Sequence, residues 1–80
     1  MTQERMEELT NLGVKLISER LPEDEYVDDC GYSECVVEVP VYKNSNPDQW
    51  AHIFRWRYDE SLHEDVETQL RKRINEAYFK

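Results

Sequence analysis

Apolar residues recur every three or four positions near both ends of the chain and every second position in its middle. Near the N-terminus this spacing predicts a helix over residues 2–21, whose apolar stripe is Met6, Leu9, Leu12, Gly13, Leu16 and Ile17. Thr2 stands where a helix cap belongs, and Leu21-Pro22 should end the helix. Glycine costs about 1 kcal/mol inside a helix, so Gly13 predicts close approach by another element.

Strict alternation in the middle of the chain predicts two strands. In the first, over residues 35–42, one face carries Cys35, Val37, Val39 and Val41. In the second, over residues 50–58, one face carries Trp50, His52, Phe54, Trp56 and Tyr58. Residues 43–49 should form the connecting loop. Antiparallel pairing then places Val39 near Phe54, Val37 near Trp56 and Glu38 near Arg55.

Shorter signals complete the predicted sheet. Tyr26-Val27 could start a short third strand, and Cys30-Gly31-Tyr32-Ser33 is typical of a turn. Pro40 has no amide hydrogen to donate, so we expect its nitrogen to face a sheet edge or a bulge.

A second helix is predicted at the C-terminal end. Ser61-Leu62-His63-Glu64 has the form of a capping box, with serine at the cap and glutamate three residues on. The apolar stripe of this helix comprises Leu62, Val66, Leu70, Ile74, Ala77 and Tyr78.

The order of these elements predicts an α+β fold. We expect a single domain over residues 1–80, ordered helix, short strand, strand, strand, helix, with both helices packed on one face of an antiparallel sheet. This order is similar to the topology of double-stranded-RNA-binding domains. Those domains begin their second helix with a lysine-rich phosphate clamp, whereas this chain has Leu62-His63-Glu64-Asp65-Val66, so that family is rejected.

Charge is distributed unevenly along the chain. The net charge is −8, and residues 21–42 hold seven acids and no base. Such a block produces a local field that attracts cationic groups and disfavours direct binding of nucleic acid. The seven acids are the candidate partner-binding residues: Glu23, Asp24, Glu25, Asp28, Asp29, Glu34 and Glu38.

No pattern in the sequence predicts a membrane segment or a secretory signal. The longest uninterrupted apolar stretches are two residues, and the N-terminus lacks a basic start followed by an apolar run. We therefore expect a cytoplasmic protein with no membrane partner.

Residues that could support catalysis or metal binding are few. Cys30 and Cys35 with His52 and His63 are the only soft-metal set, and their spacing does not match that of structural zinc sites. A calcium loop with Gly31 at its sixth position would need a glutamate where Val37 stands. With only two glycines the chain has no phosphate-binding loop, so we expect neither an enzyme nor a cofactor.

Three functional hypotheses remain at this point. The first is a small non-enzymatic protein-binding module, an inhibitor whose acidic surface mimics nucleic acid and docks on the basic groove of a nuclease or other nucleic-acid-binding complex. Phage-made nuclease inhibitors and anti-CRISPR proteins look similar in size, charge and mixed architecture, though no motif of theirs is matched. The second is a self-associating assembly subunit, for example a homodimer, whose acids only solubilise it. The third is a metal-dependent or small-molecule regulator using the cysteines and histidines.

Overall fold

The computed structural model of the protein describes residues 2–33, 36–62 and 64–78, and it has the predicted α+β fold. Two helices enclose four antiparallel strands in chain order. A short 3-10 turn, Glu60–Leu62, precedes the second helix. The elements are α1 (Gln3–Ser18), β1 (Glu25–Val27), β2 (Gly31–Ser33), β3 (Val36–Lys43), β4 (Asn46–Arg57) and α2 (Val66–Ala77).

Strand β3 is the centre of the sheet. It pairs with β4 along one side and with both β1 and β2 along the other. Strands β1 and β2 therefore lie end to end, and together they form one interrupted edge. Val27 faces Val41 and Gly31 faces Glu38, so three residues of the edge oppose two residues of β3 at the interruption. This break, residues 28–30, contains one extra residue, as a β-bulge does.

Pro40 lies opposite this break. Its carbonyl oxygen accepts a backbone hydrogen bond from Asp28 at 3.4 Å. In an extended strand the nitrogen and carbonyl of one residue point to the same side. The Pro40 nitrogen, which has no hydrogen to donate, therefore faces the gap between β1 and β2, as the sequence predicts for an edge or bulge.

The predicted register between the two long strands is confirmed. Val39 pairs with Phe54, Val37 with Trp56, and Glu38 with Arg55. The inward-facing side chains of these strands form one buried cluster with side chains from both helices. The cluster comprises Met6, Leu9, Leu16, Ile17, Val37, Val39, Val41, Phe54, Trp56, Leu70 and Ile74.

Helix α1 begins as predicted and ends earlier than predicted. The Thr2 hydroxyl accepts a hydrogen bond from the Arg5 amide at 3.2 Å, which caps the helix. The last helical residue is Ser18, three residues before Leu21. At this end the Arg20 guanidinium donates to the Leu16 carbonyl at 2.8 Å and to Asn75 of α2 at 2.7 Å. These bonds satisfy a carbonyl at the helix terminus and join the two helices.

Two predicted connections are wrong. Residues 43–49 do not form a loop, because β3 and β4 are joined by a two-residue turn and β4 already begins at Asn46. Near this turn β4 has more residues than β3, and register shifts on either side of Tyr42 accommodate the difference. Residues 31–33 are not a turn but the strand β2, in which Tyr32 pairs with Val37 and packs against the core.

The predicted capping box at Ser61 is also wrong. Asp65 caps α2, and its carboxylate accepts a hydrogen bond from the Glu67 amide at 3.1 Å. Ser61 instead donates to Asp59 from its hydroxyl at 2.6 Å and from its backbone at 2.9 Å. The Gln69 side chain, which is buried, holds this turn by bonding both the amide and the carbonyl of Asp59. The helix therefore starts later, and Leu62 stays 53% exposed.

Gly13 supplies a stability prediction. A methyl group at this position would meet Val39 at 3.8 Å and Val37 at 4.0 Å, which is ordinary van der Waals contact. The neighbouring strand is therefore close, yet it leaves room for a β-carbon. We expect Gly13→Ala to raise the free energy of unfolding by about 0.5–1 kcal/mol, because alanine restricts the unfolded chain and favours helix.

Urea denaturation would measure this change, with Gly13→Leu as the control. The larger side chain should overfill the contact with β3 and destabilise the protein by about 1–3 kcal/mol. A destabilising alanine would contradict the packing distances.

Candidate protein-binding surface

Four of the seven candidate acids are exposed around β1. Glu23 and Asp24 lie in the turn before this strand, and Asp28 and Asp29 lie in the break that follows it. Among the described residues none of these four carboxylates takes part in an ion pair. We call Glu23, Asp24, Asp28 and Asp29 the acidic edge, since they bracket the outermost strand of the sheet.

The other candidates are placed differently. Glu38 is half-buried, and its carboxylate lies 3.3 Å from the Arg55 guanidinium across the β3–β4 ladder. Glu25 is also half-buried, and one of its carboxylate oxygens is enclosed without a hydrogen-bond partner among the described residues. Glu34 lies outside the described residues. The structure therefore leaves four of the seven acids exposed, two at each end of β1.

Backbone hydrogen bonds fix both halves of the acidic edge. The Asp24 carbonyl accepts from the Asn44 amide at 2.8 Å, which fastens the first half to the β3–β4 turn. In the second half, the Asp28 amide donates to the Pro40 carbonyl at 3.4 Å, and the Asp28 carboxylate accepts from the Asp29 amide at 2.9 Å. Asp29 has a φ of 55°, in the left-handed region that aspartate tolerates better than most residues. These carboxylates thus project from a braced backbone.

Asp29 also contacts the neighbouring tyrosine on the central strand. Its carboxylate accepts a hydrogen bond from the Tyr42 hydroxyl at 3.3 Å. Loss of solvent around the ring, followed by the negative charge and hydrogen bond of Asp29, raises the pKa of the Tyr42 phenol. The tyrosine therefore stays neutral, and it remains a hydrogen-bond donor to the acidic edge.

Trp50 and His52 do not lie in the core, contrary to the sequence prediction. Trp50 is 59% exposed and His52 is exposed, whereas Phe54 and Trp56 on the same strand are buried. His52 pairs with Val41 and Trp50 pairs with Tyr42, so Ala51 is an extra residue and Trp50 lies on the face of the sheet opposite Phe54. His52 instead shares a hydrogen bond of 2.9 Å with the Tyr78 hydroxyl at the end of α2.

Sequence reasoning therefore missed Trp50 as a surface residue. The available signal was its position: it follows Asn46-Pro47-Asp48, a polar stretch typical of a chain segment that has left the core. The alternation of Trp50 with Phe54 and Trp56 obscured this signal, because strict alternation assigns all three to one face, whereas the extra residue Ala51 turns Trp50 to the other.

A groove with basic side chains lies at the opposite edge of the sheet, between β4 and α2. Its volume is about 410 Å³, and the cations on its lining are Arg55, Arg57, Lys72 and Arg73. Local acids neutralise most of this charge. Lys72 lies 2.9 Å from Glu64, Arg73 lies 3.6 Å from Glu76, and Arg55 is paired with Glu38. The groove is therefore nearly balanced, in contrast to the acidic edge.

The part of the chain that the structure describes contains no side-chain cluster that would support the metal hypothesis. Within residues 2–33, 36–62 and 64–78, no three histidine, cysteine, aspartate or glutamate side chains lie close enough to hold a metal ion. Cys30 is exposed, and Cys35 and His63 lie outside the described residues. Over the same residues, no helix is both long enough and apolar enough to cross a membrane.

Comparison with known proteins yields no significant match to a family model, a curated protein or a solved structure.

The contact between Asp29 and Tyr42 can be tested by titration. We expect Asp29→Asn to lower the pKa of Tyr42 towards its ordinary value of 10.0, because the substitution removes a negative charge beside the phenol. The measurement is an NMR titration of protein carrying carbon-13 at the tyrosine ring. Asp28→Asn is the control and should lower the pKa less, since only its charge acts on the phenol. Equal shifts in both variants would contradict the contact.

Proposed function

We propose that the protein is a small protein-binding module that docks its acidic edge on a basic groove of a partner, such as a nuclease or another nucleic-acid-binding complex. The observation that carries the proposal is the exposure of four neighbouring carboxylates that have no ion pair among the described residues. A groove that binds phosphates offers clustered lysine and arginine, to which such a surface is complementary.

Placement of the acids supports docking more than simple solubility. Some acids elsewhere in the described structure are paired: Glu8 and Glu67 lie beside Arg5, Glu64 lies beside Lys72, and Glu38 beside Arg55. Other exposed acids, such as Glu4, Glu7 and Glu19 on or beside α1, have no ion pair among the described residues. The acidic edge has no ion-pair partner among the described residues and holds two carboxylates at each end of one short strand, so less of its field is cancelled locally. A rigid backbone favours the same conclusion, because groups already held in place lose less entropy on binding.

A matched pair of variants tests this proposal. The first neutralises the acidic edge by Glu23→Gln, Asp24→Asn, Asp28→Asn and Asp29→Asn. The control neutralises four exposed acids on or beside the helices by Glu4→Gln, Glu7→Gln, Glu19→Gln and Glu76→Gln, of which only Glu76 has an ion-pair partner among the described residues. Both variants carry a net charge of −4, so any difference between them reports position and not total charge.

Immobilised protein would first capture partners from native lysate, and the kinetics of the purified complex would then be measured. We expect the acidic-edge variant to lose binding and the control variant to retain it, with similar melting temperatures for both. For the unaltered protein, the association rate should fall about tenfold or more between about 50 and 500 mM salt, because exposed charges are screened beyond ~10 Å. Equal binding by the two variants, or a flat salt profile, would refute the proposal.

A second candidate function, self-association as an assembly subunit, is favoured by the opposite edge of the sheet. Strand β4 pairs only with β3 among the described strands, and its first seven residues, 46–52, are all exposed. An uncovered edge strand can pair with another copy. Sedimentation velocity at micromolar concentration separates the candidates, because a strict monomer excludes the homodimer.

A further inference from the structure

The sheet has one face that the helices do not cover. Val37, Val39 and Val41 point into the core shared with α1 and α2, so the alternate residues of β3 point the other way. These alternate residues include Glu38 and Tyr42. We call this side the open face.

The strand register places three aromatic residues on neighbouring strands across the open face. Tyr26 of β1 faces Tyr42 of β3, and their rings are stacked with centroids 5.7 Å apart and an angle of 20° between planes. On the other side of Tyr42, the register places Trp50 of β4. Tyr26, Tyr42 and Trp50 form an aromatic row that crosses three strands, which is about 10 Å at the usual strand spacing.

The aromatic row adjoins the acidic edge. Asp29 accepts the hydrogen bond from Tyr42, and the charge of Asp28 also acts on that phenol. At its far end, Trp50 is 59% exposed, so a large apolar ring is open to contact. Rings flanked by unpaired carboxylates form a surface that attracts cations in two ways, by charge and by the negative faces of the rings.

We propose that the aromatic row and Asp29 together bind an arginine-rich segment of the partner. Guanidinium groups are planar, so they stack on aromatic rings and form two parallel hydrogen bonds with a carboxylate. Lysine offers a compact, strongly hydrated charge and cannot use the rings in the same way. This inference rests on the proposed function, and it specifies that arginine in the partner's groove is selected over lysine.

Exposed tryptophan is the expected anchor of this contact. Tryptophan and arginine are the residue types most enriched among those that dominate binding energy at protein interfaces. Leu62 is comparably exposed, at 53%, but it lies in the 3-10 turn before α2 and has no place in the aromatic row. It therefore provides a matched control for loss of an exposed apolar side chain.

The test uses two labelled peptides of equal length and charge, one alternating arginine with glycine and the other alternating lysine with glycine. Fluorescence anisotropy at low salt would measure the dissociation constant of each. We expect the arginine peptide to bind about two- to fivefold more tightly than the lysine peptide. Trp50→Ala should remove this preference, Trp50→Phe should keep part of it, and Leu62→Ala should leave it unchanged.

Each outcome has a distinct meaning. If both peptides bind equally and Trp50→Ala has no effect, while the acidic-edge variant loses binding, the arginine inference is wrong and the proposed function stands. If the acidic-edge variant binds the peptides as tightly as its charge-matched control, the docking role of those carboxylates is wrong. No saturable binding of either peptide would overturn the arginine inference, and circular dichroism of Trp50→Ala confirms that loss of binding is not loss of fold.

Discussion

The packing of Val37, Val39 and Val41 against both helices is the interaction on which the other elements depend. All three valines are fully buried, and the strand that carries them pairs along both of its sides. A chain of 80 residues can bury only a small core, so it concentrates its contacts on one strand. The remaining strands are fixed by their register against this one.

That constraint explains the shape of the acidic edge. Pro40 interrupts the hydrogen-bonding capacity of β3, and the opposing edge breaks at the same level. The extra residue in the break reverses which residues face inward, so Val27 packs on the core before it and Tyr32 packs on the core after it. Asp28 and Asp29 occupy the break itself, where side chains need not face either side of a regular sheet. A proline in the central strand thus creates an exposed position for two carboxylates.

Sequence patterns predicted the parts of the fold that repeat. The alternation around Val39 and Phe54 predicted two strands, and the chosen register, in which both faces agree and Glu38 pairs with Arg55, is confirmed. Features set by single tertiary contacts were missed. The start of α2 depends on Gln69, whose side chain bonds to the backbone of Asp59 and delays the helix. A short sequence pattern at the start of a helix does not encode a contact between residues that far apart.

The candidate site was predicted to a similar extent. Counting charges along the sequence located the acidic segment, because the charge of each side chain follows from its residue type. It could not separate Glu38, whose counter-ion lies on the next strand, from Asp29, which no described cation neutralises. The exposure of Trp50 depends on the register shift between β3 and β4 beside Tyr42, and alternation along a single strand does not reveal such a shift.

The two edges of the sheet have different capacities for association. An edge strand invites pairing with another strand, and natural proteins discourage this with charge, proline or bulges. On the β1–β2 side, carboxylates bracket a three-residue strand, so two copies approaching by this edge would meet like charges at short range. The same charges lower the energy of approach for a cationic partner. The same negative charge therefore both repels a second copy and attracts a basic surface. The broken strand offers too little continuous backbone for pairing, so a partner at this edge must bind through side chains.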